Sequence, residues 1–330
     1  MRIFALEYAT GGGILESPAL AHCRPEGAAM LRALAGDLAD VPPHEIVIAV
    51  DEGAPTNWPP RIRRHRIATN RVTEDWDALM RAADAVWFVA PETGGILADL
   101  TARAERLSRP VLGCSAAAVE IAASKLATAR YLARHGVSAV PTNPISAIGQ
   151  LPPSKTGWVL KPDDGVGSED TWFCATAADL RQRVGHAEGA VIQPFIAGEP
   201  LSISLLAQRG RAWILACNTQ DVRREGNALV YRGGTVSGAE ELRPMLTPIA
   251  EAIAEALPEL WGYVGIDLIA TAQGPVVLEI NPRLTISYIG LRQSIGLNPA
   301  ELVLRLLDEP LPSLIRPLAP RPIKVGTTTP

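Results

Sequence analysis

Cysteine is scarce in this 330-residue chain, and no Cys-x-x-Cys pair occurs among Cys23, Cys114, Cys174 and Cys217. This wide spacing excludes a disulfide framework and a thiolate metal cluster, and it fits a reducing cytosol. A basic surplus is also lacking, because 31 Lys and Arg residues are set against 35 Asp and Glu residues, which gives a net charge of −4. Nucleic acid is therefore not an expected partner.

Long apolar runs are lacking as well. No stretch approaches the ~18 consecutive apolar residues that a membrane-spanning helix requires. The segment Met1–Glu7 reaches an acid before the ~7–15 apolar residues of a secretory signal would be complete. With 47% apolar and 20% charged residues, the composition is that of a folded protein. We expect a cytoplasmic protein without a membrane partner.

Residues 1–118 alternate short apolar runs with helical patterns. The predicted strands are Arg2–Leu6, Glu45–Val50, Ala85–Val89 and Pro110–Gly113. The predicted helices are Glu26–Leu38, Thr73–Ala83 and Gly94–Leu107. Continuous apolar strands separated by helices are typical of a parallel sheet covered on both faces. The first domain is therefore predicted to be a doubly wound α/β unit.

The remainder of the chain has α+β character. A helical stretch, Ala116–His135, leads into a linker marked by Pro141, Pro144, Pro152 and Pro153. The predicted strands are Gly157–Pro162, Ala190–Phe195, Pro200–Gln208, Arg211–Asn218, Leu229–Val236, Gly262–Ala270 and Pro275–Ile280. The predicted helices are Ala177–Val184, Glu240–Leu257 and Pro299–Leu307. The proline-rich tail, Pro310–Pro330, has neither the helical nor the strand period of apolar residues. We therefore expect a strap or a disordered end there.

Polar or glycine-rich segments follow three predicted strands of the first domain, at Tyr8–Gly13, Asp51–Gly53 and Ala90–Gly95. Because ligands of such sheets bind at the carboxyl ends of the strands, substrate contacts are expected here, from Glu7, Thr10, Gly11 and Glu92. A dinucleotide-binding loop is an alternative interpretation. It is disfavoured because Glu16 stands where the third glycine of that motif belongs.

Two C-terminal strands carry an oxygen-rich set of side chains. Glu279 and Asn281 share a face because side chains alternate along a strand, and the turn at Gln273-Gly274 predicts a hairpin with Asp267 across from Glu279. Two carboxylates and a carboxamide are the ligand type that Mg²⁺ prefers. Arg283 extends the same face with a fixed cation. A polar sheet face with scattered ion pairs is the alternative.

Two lysines are candidates for phosphate binding. Lys161 ends a strand and is followed by the loop residues Gly165, Gly167 and Ser168, whose backbone N–H groups could approach an anion. An ordinary turn would have the same composition. Lys125 follows Ser124, a plausible helix cap, and a cation in the first turn opposes the helix dipole unless an anion lies nearby.

The segment from Gln193 to Glu199 runs from one strand through a bend into the next. Backbone groups at such a bend are not paired by the sheet, so the Pro194 carbonyl and the Ile196 N–H could contact an adenine edge. Glu199 is then a candidate for the ribose hydroxyls. A solvated turn acid is the alternative for Glu199.

In order and approximate spacing, these motifs resemble the ATP-grasp superfamily. The resemblance implies an N-terminal α/β domain (1–118), a central subdomain (119–192) and a C-terminal subdomain with the metal site (193–330), with ATP clasped between the latter two. It implies Mg²⁺, or Mn²⁺, on Asp267, Glu279 and Asn281. It also implies phosphate contacts from Lys125, Lys161 and the glycine loop, adenine contacts from Gln193-Pro194-Phe195-Ile196, and charge neutralisation by Arg283.

At a finer level the chain resembles the tyramine–L-glutamate ligase family, in the segments Glu7–Gly12, Ala90–Thr93, Asn218–Gln220, Tyr231–Gly234 and Asn281–Tyr288. This implies a glutamate γ-carboxyl activated as an acyl phosphate and joined to tyramine or a related amine, in the biosynthesis of methanofuran-type carriers. Arg232, in the lid expected at Thr219–Gly234, and Ser287 are further substrate candidates. The implied partners are small molecules, and a homodimer is compatible with the sequence.

Three other functions are alternatives. A ligase that joins two amino acids would use the same nucleotide residues and differ in the N-terminal crevice. A non-catalytic nucleotide-binding module is disfavoured because the metal-ligand set is complete. A nicotinamide-dependent oxidoreductase has only the first glycine loop in its favour.

Overall fold

The computed structural model describes residues 1–54, 57–151, 154–185, 187, 189–308, 310 and 320–326. Over these residues the N-terminal domain contains a four-stranded parallel sheet in the order β3-β2-β1-β4. Its strands are β1 (Arg2–Glu7), β2 (Glu45–Val50), β3 (Ile62–Arg66) and β4 (Ala85–Val89). The predicted parallel α/β character of this domain is confirmed.

Helices cover this sheet and continue into the second part of the chain. Those of the N-terminal domain are α1 (Ile14–Glu16), α2 (Arg24–Ala39), α3 (Val72–Ala82) and α4 (Ile96–Arg106). The later ones are α5 (Ala116–Ala123), α6 (Lys125–Arg134), α7 (Ala177–Val184), α8 (Arg243–Ala256), α9 (Tyr288–Ile295) and α10 (Pro299–Arg305). None of the helices in the described ranges is long and apolar enough to cross a membrane.

The second part of the chain folds around one antiparallel sheet with the path β13-β12-β9-β10-β11-β7-β6-β8-β5, and β14 pairs with β11. Its strands are β5 (Asn143–Pro144), β6 (Trp158–Pro162), β7 (Trp172–Cys174), β8 (Ala190–Pro194), β9 (Glu199–Gln208), β10 (Arg211–Glu225), β11 (Ala228–Val236), β12 (Gly262–Thr271), β13 (Gly274–Asn281) and β14 (Ile323–Gly326). The interdomain boundary expected at residues 192 and 193 falls inside β8.

The N-terminal domain and the C-terminal helices share a hydrophobic core. Ile3 and Trp87, from the parallel sheet, belong to the same buried cluster as Tyr288 of α9 and Val303 of α10. A separate small cluster, centred on Leu160 and Ile192, supports β6, β8 and α7. The shared core fixes the position of the N-terminal strand ends relative to the large sheet.

The secondary structure differs from the sequence predictions at several places, and strands β3, β5 and β7 were not predicted. Pro110–Gly113 forms only a single bridge, between Val111 and Val86. The predicted helical stretch Ala116–His135 is present as α5 and α6, and Ser124 between them caps α6 by accepting from Ala127 N, as expected. The tail contains β14, and α9 was not predicted. The other tail residues, 311–319 and 327–330, and the linker residues Pro152 and Pro153 lie outside the described residues.

Gly233 allows β14 to pair with β11. Its φ is +119°, and a Cβ at this position would lie 2.3 Å from the Val325 carbonyl oxygen. Gly233→Ala is therefore expected to lower the free energy of unfolding by about 2–3 kcal/mol, since strained backbone and a steric overlap act together. Urea denaturation would measure this.

Gly36→Ala is the matched control, because Gly36 lies within α2 and a Cβ there meets nothing within 4 Å. This variant should gain about 0.5–1 kcal/mol from helix propensity. Equal unfolding midpoints for the two variants would contradict the assignment of Gly233.

Candidate active site

Oxygen-bearing side chains converge on the hairpin of β12 and β13. Asp267 pairs with Glu279 across the two strands, as the sequence predicts. The Asp267 carboxylate accepts hydrogen bonds from Asn281 Nδ2 at 3.2 Å and from Gln220 Nε2 at 2.9 Å. The three predicted metal ligands therefore lie together, and Gln220 of β10 fixes the orientation of one of them.

The two carboxylates of this cluster are largely buried and close together. Burial and the neighbouring Glu279 raise the pKa of Asp267 to about 8. Burial opposes the ionisation of Glu279, but Lys125 and Lys161 hold the pKa of Glu279 below its ordinary value. Crowded carboxylate and carboxamide oxygens are stabilised by a hard divalent cation, so the residues fit Mg²⁺ or Mn²⁺.

Both predicted phosphate lysines lie beside these acids. Lys125 Nζ is 3.4 Å from Glu279 Oε2, so the expected anion near the first turn of α6 is present within the protein. Lys161 is buried at the end of β6, and burial lowers its pKa to about 8, against the opposing influence of Glu279. The cluster thus places two ammonium groups next to two carboxylates in one buried region.

The glycine loop is tied to the start of α6. The Asp163 carboxylate accepts from Ser124 Oγ at 2.6 Å and from Leu126 N at 2.8 Å. Lys125 Nζ donates to the Gly165 carbonyl at 2.8 Å. Both Gly167 and Ser168 have positive φ. Gly165, Gly167 and Ser168 all line the cleft, as expected.

The adenine candidates line the opposite end of the same cleft. Gln193, Pro194, Phe195 and Ile196 are all lining residues. Phe195 packs edge-on against Phe173 at 5.1 Å, and the Arg224 guanidinium lies 4.0 Å from the Phe173 ring centroid. The sequence did not single out Phe173, which supplies the aromatic support for this end. Glu199 is exposed and is not a lining residue, so the structure does not bring it to the candidate ribose position.

The cleft has a volume of about 600 Å³ and extends from these residues to the N-terminal domain. Of the predicted substrate residues, Glu7 and Ser287 line it. The remaining four, Thr10, Gly11, Glu92 and Arg232, do not. The Thr10 hydroxyl is used internally, because it donates to Glu7 Oε2 at 2.6 Å. Arg232 is directed outward to Glu225 on the lid hairpin of β10 and β11.

Glu92 does not line the cleft and instead makes a buried contact with Arg283. Its Oε2 accepts from Arg283 Nε at 2.8 Å, and the two side chains are only 6% and 12% exposed. The next residues also reach across the domains, since Thr93 Oγ1 donates to the Asp164 carbonyl and Gly94 N to the Asp164 carboxylate. One N-terminal loop therefore holds both Arg283 and the start of the glycine loop.

Comparison with known proteins identifies the fold and the family. A family model described as an ATP-grasp domain matches residues 122–287, and a pre-ATP-grasp domain model matches residues 44–119. The chain belongs to the ATP-grasp family. Among solved structures, a putative ATP-grasp superfamily protein from Archaeoglobus fulgidus has a TM-score of 0.72 at 23% identity, over 98% of this chain and 91% of that one.

Curated enzymes are also similar to this chain in sequence. The tyramine–L-glutamate ligase of Methanocaldococcus jannaschii is 32% identical over 222 residues, which are 67% of this chain and 62% of that protein. The phosphoribosylamine–glycine ligase of Xanthomonas axonopodis pv. citri is 27% identical over 64% of this chain and 56% of that protein. The aligned regions thus span less than two thirds of either relative.

Besides Phe173, the lining residues Gln220, Tyr231 and Glu26 of the ATP-grasp cleft were not identified as site residues from sequence. Gln220 and Tyr231 belong to segments noted only for their family resemblance, and Glu26 was noted only as the start of a helix. Their approach to the cleft depends on how α2 and the lid hairpin pack, which no local pattern encodes. Glu26 and Tyr231 are close enough for the acid to raise the pKa of the phenol, after the larger effects of burial and Asp267.

Proposed function

We propose that this ATP-grasp protein is an ATP-dependent carbon–nitrogen ligase. It activates a carboxylate as an acyl phosphate and joins it to an amine. The observation that carries the proposal is the continuity of one cleft, which contains the carboxylate–carboxamide cluster and both lysines and reaches beyond Arg283 to the N-terminal domain. A nucleotide's phosphate end and two small substrates could meet there.

Residue roles follow from position in the cleft. Gln193, Pro194, Phe195 and Ile196 would bind adenine. Lys125, Lys161 and the glycine loop would hold the phosphates, whose charge two ammonium groups offset. Asp267, Glu279 and Asn281 would hold Mg²⁺, which when bound neutralises charge on the phosphoryl oxygens. The proposed domains are 1–118, 119–192 and 193–330, and nucleotide contacts come from the last two.

The chemistry explains why these charges are needed. A carboxylate resists attack by an amine because it is anionic and oxide is a poor leaving group, and phosphorylation removes both obstacles. Lys161 and Lys125 would stabilise the charge of the phosphoryl group as it moves to the carboxylate oxygen. Arg283 would then stabilise the oxyanion that forms when the amine attacks. This oxyanion collapses by breaking the carbon–oxygen bond to phosphate, which leaves while the amine nitrogen loses its proton. The lid hairpin would exclude water from the acyl phosphate.

For the substrates we propose the γ-carboxyl of glutamate as donor and tyramine or a related aromatic amine, such as tyrosine, as acceptor. The sequence similarity to two tyramine–L-glutamate ligases supports this choice. Such a reaction belongs to the assembly of methanofuran-type carriers.

The test is an incubation of the protein with ATP, Mg²⁺, glutamate and either tyramine or a panel of amino acids. We expect ADP release that depends on both substrates and a product with the mass of γ-glutamyltyramine. Hydroxylamine in place of the amine should give the γ-glutamyl hydroxamate, which reports the acyl phosphate directly. Products with amino-acid acceptors alone would favour a dipeptide-forming ligase, and ATP binding without any turnover would favour a non-catalytic module.

Lys161→Met tests the nucleotide assignment. It keeps an apolar stem and removes the buried charge, so the dissociation constant for ADP should rise about tenfold or more. Because burial already penalises the ammonium group, the melting temperature should not fall. Isothermal titration calorimetry would measure the affinity.

Lys155→Met is the matched control, since Lys155 is exposed and six positions upstream. Its ADP affinity should equal that of the wild type. An unchanged affinity in Lys161→Met would remove Lys161 from the nucleotide site.

A further inference from the structure

One face of α2 forms the N-terminal wall of the cleft. Cys23, Glu26, Gly27 and Met30 are lining residues, and their spacings of three, four and seven positions place them on a single helix face. None of them comes from the segments that carry the nucleotide motifs. This wall is therefore separate from the nucleotide motifs, and its Glu26 lies close enough to Arg283 for the two charges to interact.

The acidic side chains of this region differ in whether groups of the protein already bind their carboxylates. Glu7 accepts hydrogen bonds from Ala9 N at 2.9 Å, Thr10 N at 2.7 Å and Thr10 Oγ1 at 2.6 Å, so its carboxylate is satisfied within the domain. Glu169 Oε2 lies 3.2 Å from His22 Nε2. Glu92 is bound to Arg283 and is not a lining residue. The carboxylate of each of these three acids therefore already has a partner within the protein.

Glu26 is different. Its half-buried carboxylate lines the cleft, and within the described ranges it has neither a hydrogen bond nor an ion pair. Burial raises its pKa, and the nearest opposing influences are Arg283 and His22. A desolvated carboxylate without a direct partner is costly, and a cationic ligand would remove that cost.

Apart from Arg283 and His22, whose charges act on Glu26, the other lining residues from α2 and the end of β4 are apolar or small. Met30 follows it by one helical turn, and Val89, Ala90 and Pro91 line the cleft from the end of β4. Gly27 has to be small, because a Cβ there would lie 2.3 Å from Glu7 Oε1. A single free anion beside an apolar surface is complementary to a primary ammonium group on an apolar body.

The position of Glu26 also indicates that the acceptor amine and the carboxylate donor would bind at different places in the cleft. Arg283 offers positive charge to the anionic donor. The carboxylate–carboxamide cluster would bind a cation that in turn holds the nucleotide phosphates. The nucleophile has to approach the activated carbonyl from a side that the nucleotide does not occupy, and the α2 wall lines the cleft outside the nucleotide motifs.

We propose that Glu26 binds the ammonium group of the acceptor amine and accepts the proton that this group has to lose before its nitrogen can attack, with Gly27 and Met30 in contact with the apolar body of the acceptor. This inference rests on the proposed ligase function and extends it to a residue that decides which acceptors are used.

The test is Glu26→Gln, assayed with ATP, glutamate and tyramine. The KM for tyramine should rise about tenfold to 100-fold, because a charge-assisted contact becomes neutral. Formation of γ-glutamyl hydroxamate from hydroxylamine should stay within about twofold of the wild type, since this small neutral nucleophile does not need the carboxylate. Tyrosol, the uncharged alcohol analogue of tyramine, should inhibit both proteins with equal inhibition constants.

Glu120→Gln is the matched control, because Glu120 is exposed on α5 and outside the cleft lining. It should leave every parameter unchanged. An unchanged tyramine KM in Glu26→Gln would overturn the inference, and so would a raised KM for glutamate with loss of hydroxamate, which would assign Glu26 to the donor. Absence of both amide and hydroxamate from the wild type would instead refute the ligase function itself.

Discussion

Glu279→Gln is expected to lower kcat by about 10³-fold, because a metal-bound carboxylate contributes several kcal/mol to stabilising a transferring phosphoryl group. Glutamine keeps the shape of the side chain but offers a weaker ligand and no charge to Lys125, whose Nζ lies 3.4 Å from Glu279 Oε2. Steady-state ADP release at saturating substrates would measure the effect.

Circular dichroism and the melting temperature should show that Glu279→Gln remains folded, since glutamine keeps the size of the side chain and Lys125 Nζ keeps its contact with the Gly165 carbonyl. The control is Glu251→Gln, which changes an exposed acid of α8. Wild-type turnover in Glu279→Gln would eliminate the metal assignment of the hairpin.

Arg283→Met is expected to lower the free energy of unfolding by about 3 kcal/mol, because it leaves the Glu92 carboxylate buried without its cation. Glu92 has little alternative, since its Oε1 has no hydrogen-bond partner among the described residues. The same substitution should lower kcat by about 10²-fold or more if the guanidinium stabilises the oxyanion. Urea denaturation and turnover would be measured on one preparation.

The double variant Arg283→Met with Glu92→Gln separates the two effects. Removing both charges should restore most of the stability, because a neutral amide in the same place costs far less to bury. Turnover should remain low. Recovery of turnover together with stability would show that Arg283 only holds the domains together.

The sequence could predict the parts of the site that depend on local rules. The pairing of Asp267 with Glu279 follows from period-two alternation and a two-residue turn, and the structure has this register. The place of Lys125 in the first turn of α6 follows from the serine cap. In both cases the decisive groups lie within a few residues of each other or on adjacent strands.

Other features depended on tertiary contacts that a single sequence does not reveal. Strand β3 reads Ile-Arg-Arg-His-Arg and has no apolar period, because only Ile62 of this edge strand is buried. Glu26 belongs to the cleft only because α2 packs beside the end of β1. The exposed position of Glu199 depends likewise on how β9 leaves its bend.

The two walls of the cleft come from different stretches of the polypeptide. The surface contributed by α2 and the end of β4 precedes residue 92, whereas the lysines, the glycine loop and the β12–β13 hairpin all follow residue 124. A chimaera that exchanges residues 1–118 for those of another ATP-grasp protein would therefore replace one wall as a unit. Such a hybrid could have a changed preference for the acceptor amine and the same affinity for the nucleotide as the present chain.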